Sequence, residues 1–385
     1  MIFKRRFFQI FAIISLALLS SCGTTNYLSK NENSENTLSL IFAGDIMAHT
    51  PNYKNTDYAR IWRDVAPLVS SGDLSFANVE ASVANSLPWS TYPQFNMHSE
   101  YVEAAIAAGF NVFSLANNHT NDQYLEGIKE TKKYFDSHKG IWTCGLKEKS
   151  GDALTYKIIE KKGWKVLFVA ITEILNQNDY SSYIDYYPST EKKRAQLMEE
   201  LKDLQEKSKC DLFVLSIHTD EPEYVLKITE NHRNFYKKLI EECKADIIWA
   251  NHPHIVKPFE ETAASSYYTK NLGQKERKAF IMYSNGNTIS AQRTNPQFTA
   301  PETARDNTGD GLILKMKAEK KSDGSVIFSG YEPHLITTYI TPSWQFVIKE
   351  LSDDFISTLD RAEIVNWAKY LTERKKIMEK VLEGK

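Results

Sequence analysis

Six short runs of aliphatic, aromatic and β-branched residues share one form along this chain: each stops abruptly at a polar cluster. Leu38 to Gly44 stops at Asp45, Leu74 to Ala77 at Asn78 with Glu80 close behind, and Phe110 to Ala116 at Asn117, Asn118 and His119. Asp211 to Ile217 stops at His218, Asp246 to Ala250 at Asn251-His252-Pro253-His254, and Ala279 to Ser284 at Asn285-Gly286-Asn287. Such runs predict buried strands. Between them, apolar residues recur every three or four positions, which predicts helices over 101–108, 125–137, 191–207 and 231–243. Strands alternating with helices make an α/β protein, and sheets of that kind bind ligands at the carboxyl ends of their strands. The histidines and carboxylates lie at those ends.

Further along, 311–317 and 325–331 read as a hairpin around the Asp323-Gly324 turn. Asp353 to Glu383 reads as one or two helices with charged, solvated faces. At the other end, Lys4, Arg5 and Arg6 precede an apolar run from Phe7 to Leu19. That run is shorter than the about 20 residues of a membrane span, so it reads as a signal peptide over 1–21. Leu19-Ser20-Ser21-Cys22 resembles a bacterial lipobox, which makes Cys22 the lipidated first mature residue and places the body outside the cytoplasm. Residues 22–37 are polar and lack apolar periodicity, the composition of a flexible tether. The expected organisation is then a domain over 38–340 and a helical extension over 341–385.

Composition narrows the classes. Forty-seven basic residues against 49 acidic ones give a net charge of −2 with no basic stripe, which argues against nucleic acid as a partner. With Cys22 assigned to lipid, Cys144, Cys210 and Cys243 are too few and too scattered for a disulfide framework; one bridge among them stays open.

His252-Pro253-His254 after a buried strand is the strongest local signal. In extended backbone, residues two apart face the same way, so both imidazoles could approach one ion cluster. Imidazole suits Zn, Mn and Fe, and carboxylates favour the harder of these. Asp45, Glu80, Asn118 and His218, each at a strand end, add two anionic oxygens, an amide oxygen and a nitrogen. A pair of ions so held polarises a substrate oxygen and activates water. His119, beside a ligand candidate, is placed as a general acid. Taken singly, each position has a plainer reading as a turn, cap or solvated residue; a common cause explains them together. His49, His98, His138, His232 and His334 lack this context and read as surface or structural.

Gly44-Asp45-Ile46-Met47, Phe76 to Glu80, Gly109 to Thr120, Ile217-His218, Ala245 to Val256 and Tyr283 to Asn287 together resemble the bacterial CapA/PgsA capsule-synthesis family, within the calcineurin-like metallophosphatase superfamily. The resemblance implies a four-layer α/β/β/α sandwich, a two-metal site, and a part in making, exporting or anchoring poly-γ-glutamate or a related anionic polymer, within a membrane synthesis complex. It implies that Asp45, His254 and a bridging Glu80 hold one ion, and that Asn118, His218, His252 and the same Glu80 hold the other. His119 matches the acid of phosphoesterase relatives, and Asp122 an acidic position that orients it or touches substrate. Three departures stand out: Met47 where those relatives have a histidine, Thr219-Asp220 where the family has Trp-Gly, and Ala250-Asn251 before His-Pro-His. A true phosphoesterase and a metal-stabilised scaffold remain the rival functions.

Overall fold

A computed structural model describes residues 36–384. The signal peptide, Cys22 and nearly all of the tether lie outside those residues. The strand Thr37–Ile46 runs through the middle of an eight-stranded sheet, between Asp310–Lys320 and Leu74–Val79. Leu74–Val79, Val112–Ser114 and Trp142–Cys144 follow in parallel on one side. On the other, Asp310–Lys320, Val326–Ile340 and Phe346–Glu350 form an antiparallel meander, and Asn287–Ile289 pairs with the end of the first strand. A second sheet orders its six strands as Phe259–Ala263, Lys278–Met282, Ile247–Asn251, Leu212–His218, Trp164–Thr172 and Tyr156–Lys161. Its four central strands are parallel and its two edge strands antiparallel.

The near-continuous apolar runs seen in the sequence are what strands buried on both faces require. The two sheets meet through aromatic residues of their facing surfaces. Phe42 stacks on Phe76 at 4.6 Å, Phe76 meets Phe168 edge-on at 5.5 Å, and Trp249 Nε1 donates to the Ala43 carbonyl at 2.9 Å. Each such aromatic pair adds about 0.5–1.5 kcal/mol beyond its buried area. Outside the second sheet, Leu197 and Leu201 of Glu191–Ser208 and Phe235 and Leu239 of Glu230–Cys243 cover Leu167, Phe213 and Leu215. Thr190 and Thr229 cap these two helices by accepting from Lys193 N and His232 N. Ser99–Ala107, Tyr124–Asp136 and Val365–Leu382 pack with the first sheet. The layers therefore run α/β/β/α. Among the described residues no helix is long and apolar enough to cross a membrane.

Two expectations change. The stretch after residue 340 contributes a strand, Phe346–Glu350, as well as the helices Asp353–Arg361 and Val365–Leu382. Nor are the faces of those helices all solvated. Arg374 is fully buried, its Nε donating to Asp310 Oδ2 at 2.7 Å and its second guanidinium nitrogen to Asn307 Oδ1 at 2.8 Å. Asp310 takes a second cation, Arg293, at 3.0 Å. A charged residue in a helical pattern looks solvated until its partner, here 64 positions away, is known. Cys144, Cys210 and Cys243 are all free thiols.

Candidate metal centre

Both sheets deliver their parallel strands' carboxyl ends to one place. Asp45 and Glu80 come from the first sheet, Asn118 from the loop after Val112–Ser114, and His218, His252 and His254 from the second. All six are buried. Close approach of the segment 285–287 to the first strand needs glycine twice. Asp45 N donates to Gly286 O at 3.0 Å, and a Cβ on Gly44 would fall 1.8 Å from that oxygen. Gly286 itself has φ +67°, a region that favours glycine. This approach brings Asn287 Oδ1 within 3.1 Å of His254 Nδ1.

Two groups of ligand atoms result, each lying within 4.8 Å of one another: Glu80, His218 and His252, and Asp45, Glu80 and His254. Glu80 belongs to both. Its Oε1 stands 3.7 Å from His218 Nε2 and 3.6 Å from His254 Nε2, and it is buried with no hydrogen-bond partner among the described residues. An orphaned buried carboxylate oxygen is costly, and a shared cation is the partner its position calls for. His254 Nδ1 faces two acceptors, Asp45 Oδ2 at 3.2 Å and Asn287 Oδ1 at 3.1 Å, so it carries the proton and leaves Nε2 as the donor toward a metal. His218 Nε2 lies 2.8 Å from Asn118 Oδ1 and 3.2 Å from His252 Nδ1. The residues thus fit a pair of divalent cations.

Electrostatics agree. Burial, with the neighbouring charge of Asp45 next, pushes the Glu80 carboxyl well above the usual range. Burial, then the other histidines, lowers His218 well below its usual value and takes His252 down to about 4. Neutral imidazoles beside crowded buried carboxylates are a donor set suited to divalent cations. The backbone differs from the extended one expected: His252 has φ +103° and His254 φ +57°. Pro253 thus sits in a bent loop, with His252 in one ligand group and His254 in the other. Non-glycine residues in that region cost about 1–3 kcal/mol each and gather at functional sites.

Beside the groups, His119 Nδ1 donates to Asp122 Oδ2 at 2.6 Å, and Asp122 Oδ2 also accepts from Phe95 N at 2.7 Å. Burial raises the Asp122 carboxyl despite these bonds. The pairing fixes the His119 tautomer with Nε2 free. Met47 is 1% exposed in the apolar core, so no nitrogen takes its place in the Asp45 group.

Several members of the site were not singled out from the sequence. Asn78 Nδ2 donates to Asp45 Oδ1 at 2.8 Å and to Glu80 Oε2 at 3.3 Å, holding both carboxylates. Asn176 Nδ2 lies 3.3 Å from His119 Nδ1. Tyr224 packs beside His254, ring centroids 6.1 Å apart, and Glu223 before it adds negative field at Glu80 and His252. His49, read as surface or structural, sits against Phe95, which also contacts His119. A strand-end position was the signal for Asn78 and Asn287; the rest arrive through long loops that carry no periodicity. His98, His138 and His334 pair with surface carboxylates. His232 is buried among Glu173, Asp220 and Glu221, and Glu173 N donates to the His218 carbonyl at 2.8 Å.

The model of the family described as bacterial capsule synthesis protein PGA_cap matches residues 39–292. A capsule biosynthesis protein, CapA of Bacillus anthracis, is 27% identical over 244 residues, covering 60% of this chain and 57% of that protein. This chain therefore spans little more than half the length of that relative. Among solved structures, a hypothetical protein from Thermus thermophilus aligns with a TM-score of 0.45 and 15% identity over 77% of this chain and 98% of its own. Haemophilus influenzae NAD nucleotidase aligns at 0.44 and 11%, covering 88% and 62%. The matched span takes in more than half of the sequence and every candidate ligand of the centre, and the chain belongs to the PGA_cap family of bacterial capsule synthesis proteins.

Proposed function

We propose that this protein is a metal-dependent hydrolase or transferase that acts on an anionic surface polymer, of the poly-γ-glutamate type, during capsule biosynthesis. We further propose that a lipid on Cys22 holds it at the outer face of a membrane, beside a polymer-synthesis complex. The carrying observation is Glu80: one buried carboxylate, shared by two ligand groups, with an oxygen that has no hydrogen-bond partner among the described residues. Asp45, Glu80 and His254 would hold one divalent ion, and Glu80, Asn118, His218 and His252 the other, with Mn, Fe or Zn suiting these donors. When bound, such ions supply Lewis acidity toward a carbonyl or phosphoryl oxygen and lower the pKa of water.

The chain's own groups do the rest. Asn78 fixes the Asp45 and Glu80 carboxylates, and Asn287 fixes the tautomer of His254. His119 keeps its Nδ1–H on Asp122, so in its cationic, doubly protonated form it presents the second proton, on Nε2, to a leaving group and returns to the neutral Nδ1–H ring. A scaffold without turnover is favoured by one observation, the core position of Met47, which leaves the Asp45 group with a single imidazole.

Metal content of the full chain, together with turnover of poly-γ-glutamate and of a chromogenic phosphodiester, tests this. We expect close to two equivalents of metal, and a loss of turnover of about 100-fold or more in His119→Ala with metal retained. Less than one equivalent after reconstitution would remove the metal centre. Unchanged polymer output in His119→Ala would select the scaffold.

A further inference from the structure

We propose that His49 and Arg305 form an anion-recognition subsite on the His254 side of the metal centre, which takes a second carboxylate or phosphate of the substrate and so selects chains of repeated anionic groups. The inference rests on the reading of the centre as a substrate site. Arg305 is exposed, and its guanidinium lies 5.1 Å from the centroid of the Tyr224 ring, the ring that packs beside His254. Among the described residues no carboxylate forms a salt bridge with it, and it shares the Tyr224 hydroxyl with the Glu223 carboxylate. An arginine next to a cluster of acids and histidines, seated on an aromatic face, is pre-organised for an oxyanion.

Tyr224 is held in place. Its N donates to Pro253 O at 3.0 Å, between the two loop histidines, and its hydroxyl accepts from Gln292 Nε2 at 3.3 Å. Gln292 Oε1 in turn accepts from Asn287 Nδ2 at 2.9 Å. The residue before Gln292 reaches His49: Ala291 N donates to His49 Nδ1 at 3.3 Å. An Nδ1 that accepts carries no proton, so neutral His49 bears its hydrogen on Nε2. Burial, with the charges of His254, His119 and Arg305, lowers His49 to about 3, which keeps the ring neutral. With its proton on Nε2, His49 is a donor to an incoming oxygen rather than a metal ligand. Phe95 lies between His49 and His119, with ring centroids 5.0 and 4.7 Å away, so the subsite and the proton donor share one wall. A substrate spanning both presents one group to His119 and the next to His49 and Arg305.

The test is calorimetric titration of the full chain, metal-free and manganese-loaded, with oligoglutamate, tripolyphosphate, acetate and inorganic phosphate. Arg305→Gln should weaken the preferred oligo-anion about tenfold, the cost of one charge-assisted hydrogen bond, and leave the single anions nearly unchanged. His49→Ala should weaken the same ligand several-fold, and His49→Gln, which keeps an N–H, should recover part of it. Arg305 dependence in the oligoglutamate arm alone identifies carboxylates, and in the tripolyphosphate arm alone phosphates. Equal affinity of wild type and Arg305→Gln for both oligo-anions overturns the subsite. Arg305 dependence in a protein that takes up no manganese would keep the subsite and reject the metal centre; manganese uptake without it would do the reverse.

Discussion

Replacing Glu80 by glutamine should change the stability of the protein in opposite directions with and without metal. In the metal-free chain Glu80 is fully buried, its Oε1 has no partner among the described residues, and Asp45 adds like charge close by. A buried group left unsatisfied costs about 1–3 kcal/mol, more when charged. Glutamine removes the charge while keeping the shape, so the metal-free variant should be more stable by roughly 1–3 kcal/mol. For a chain of this size that is about 2 °C of midpoint per kcal/mol. The linkage agrees in sign: a carboxyl whose folded pKa is raised opposes folding at any pH above its unfolded value. With metal the order reverses. Glutamine offers one neutral oxygen and cannot bridge two cations, so both groups lose their common ligand. Loss of a mere supporting partner costs about 10–100-fold in metal affinity, and a shared ligand should cost more. Wild type at a free metal concentration 100 times Kd gains about 2.7 kcal/mol per ion, most of which the variant forgoes. Scanning calorimetry in chelator and in excess manganese, with metal counted by mass spectrometry, reads both effects. A variant less stable than wild type in chelator, or one that binds manganese as wild type does, would refute the argument.

Two further outcomes follow from buried charges elsewhere. Burial alone would lower His232, but hydrogen bonds to Asp220 and Glu173 outweigh it and raise the ring to about 9. Its contribution is full below pH 6.5, its unfolded value, and is lost as pH rises through 9; the difference in unfolding free energy in urea between wild type and His232→Gln should shrink across that window, from at most about 3 kcal/mol. A difference that is flat with pH would mean that His232 is neutral throughout. Arg374→Met leaves Asp310 with Arg293 alone and should destabilise by about 3 kcal/mol in urea, with Asp310→Asn added to it restoring part. A loss under 1 kcal/mol would show that Arg293 suffices.

The sandwich was legible because its strands are buried on both faces and read as uninterrupted apolar runs, with the polar residue that ends each run marking the site. Asp45, Glu80, Asn118, His218, His252 and His254 lie at such ends, where strand direction alone brings distant residues together. Loop geometry was not legible. A His-Pro-His sequence does not disclose that both histidines take positive φ. His49, Tyr224 and Arg305 reach the rim through segments without periodicity, so nothing local marks them. His232 did carry a signal: it lies three and four positions before Phe235 and Tyr236, on the buried face of its helix, where a histidine needs partners. Arg374 carried none, since the pattern of a helix cannot show which of its cations meets a buried acid.

The Arg293–Asp310–Arg374 cluster also bears on the order of assembly. Asp310 lies on a strand that pairs with the one carrying Asp45, and the backbone of its neighbour Gly311 bridges to Gly286 beside Asn287. The cation that completes its pairing belongs to a helix synthesised after every ligand of the centre. A growing chain can thus hold all its metal-binding side chains while the acid behind them is still half-paired. The frame that aligns those side chains is finished only when Arg374 arrives, so an interrupted product should offer proteases a loosened first sheet.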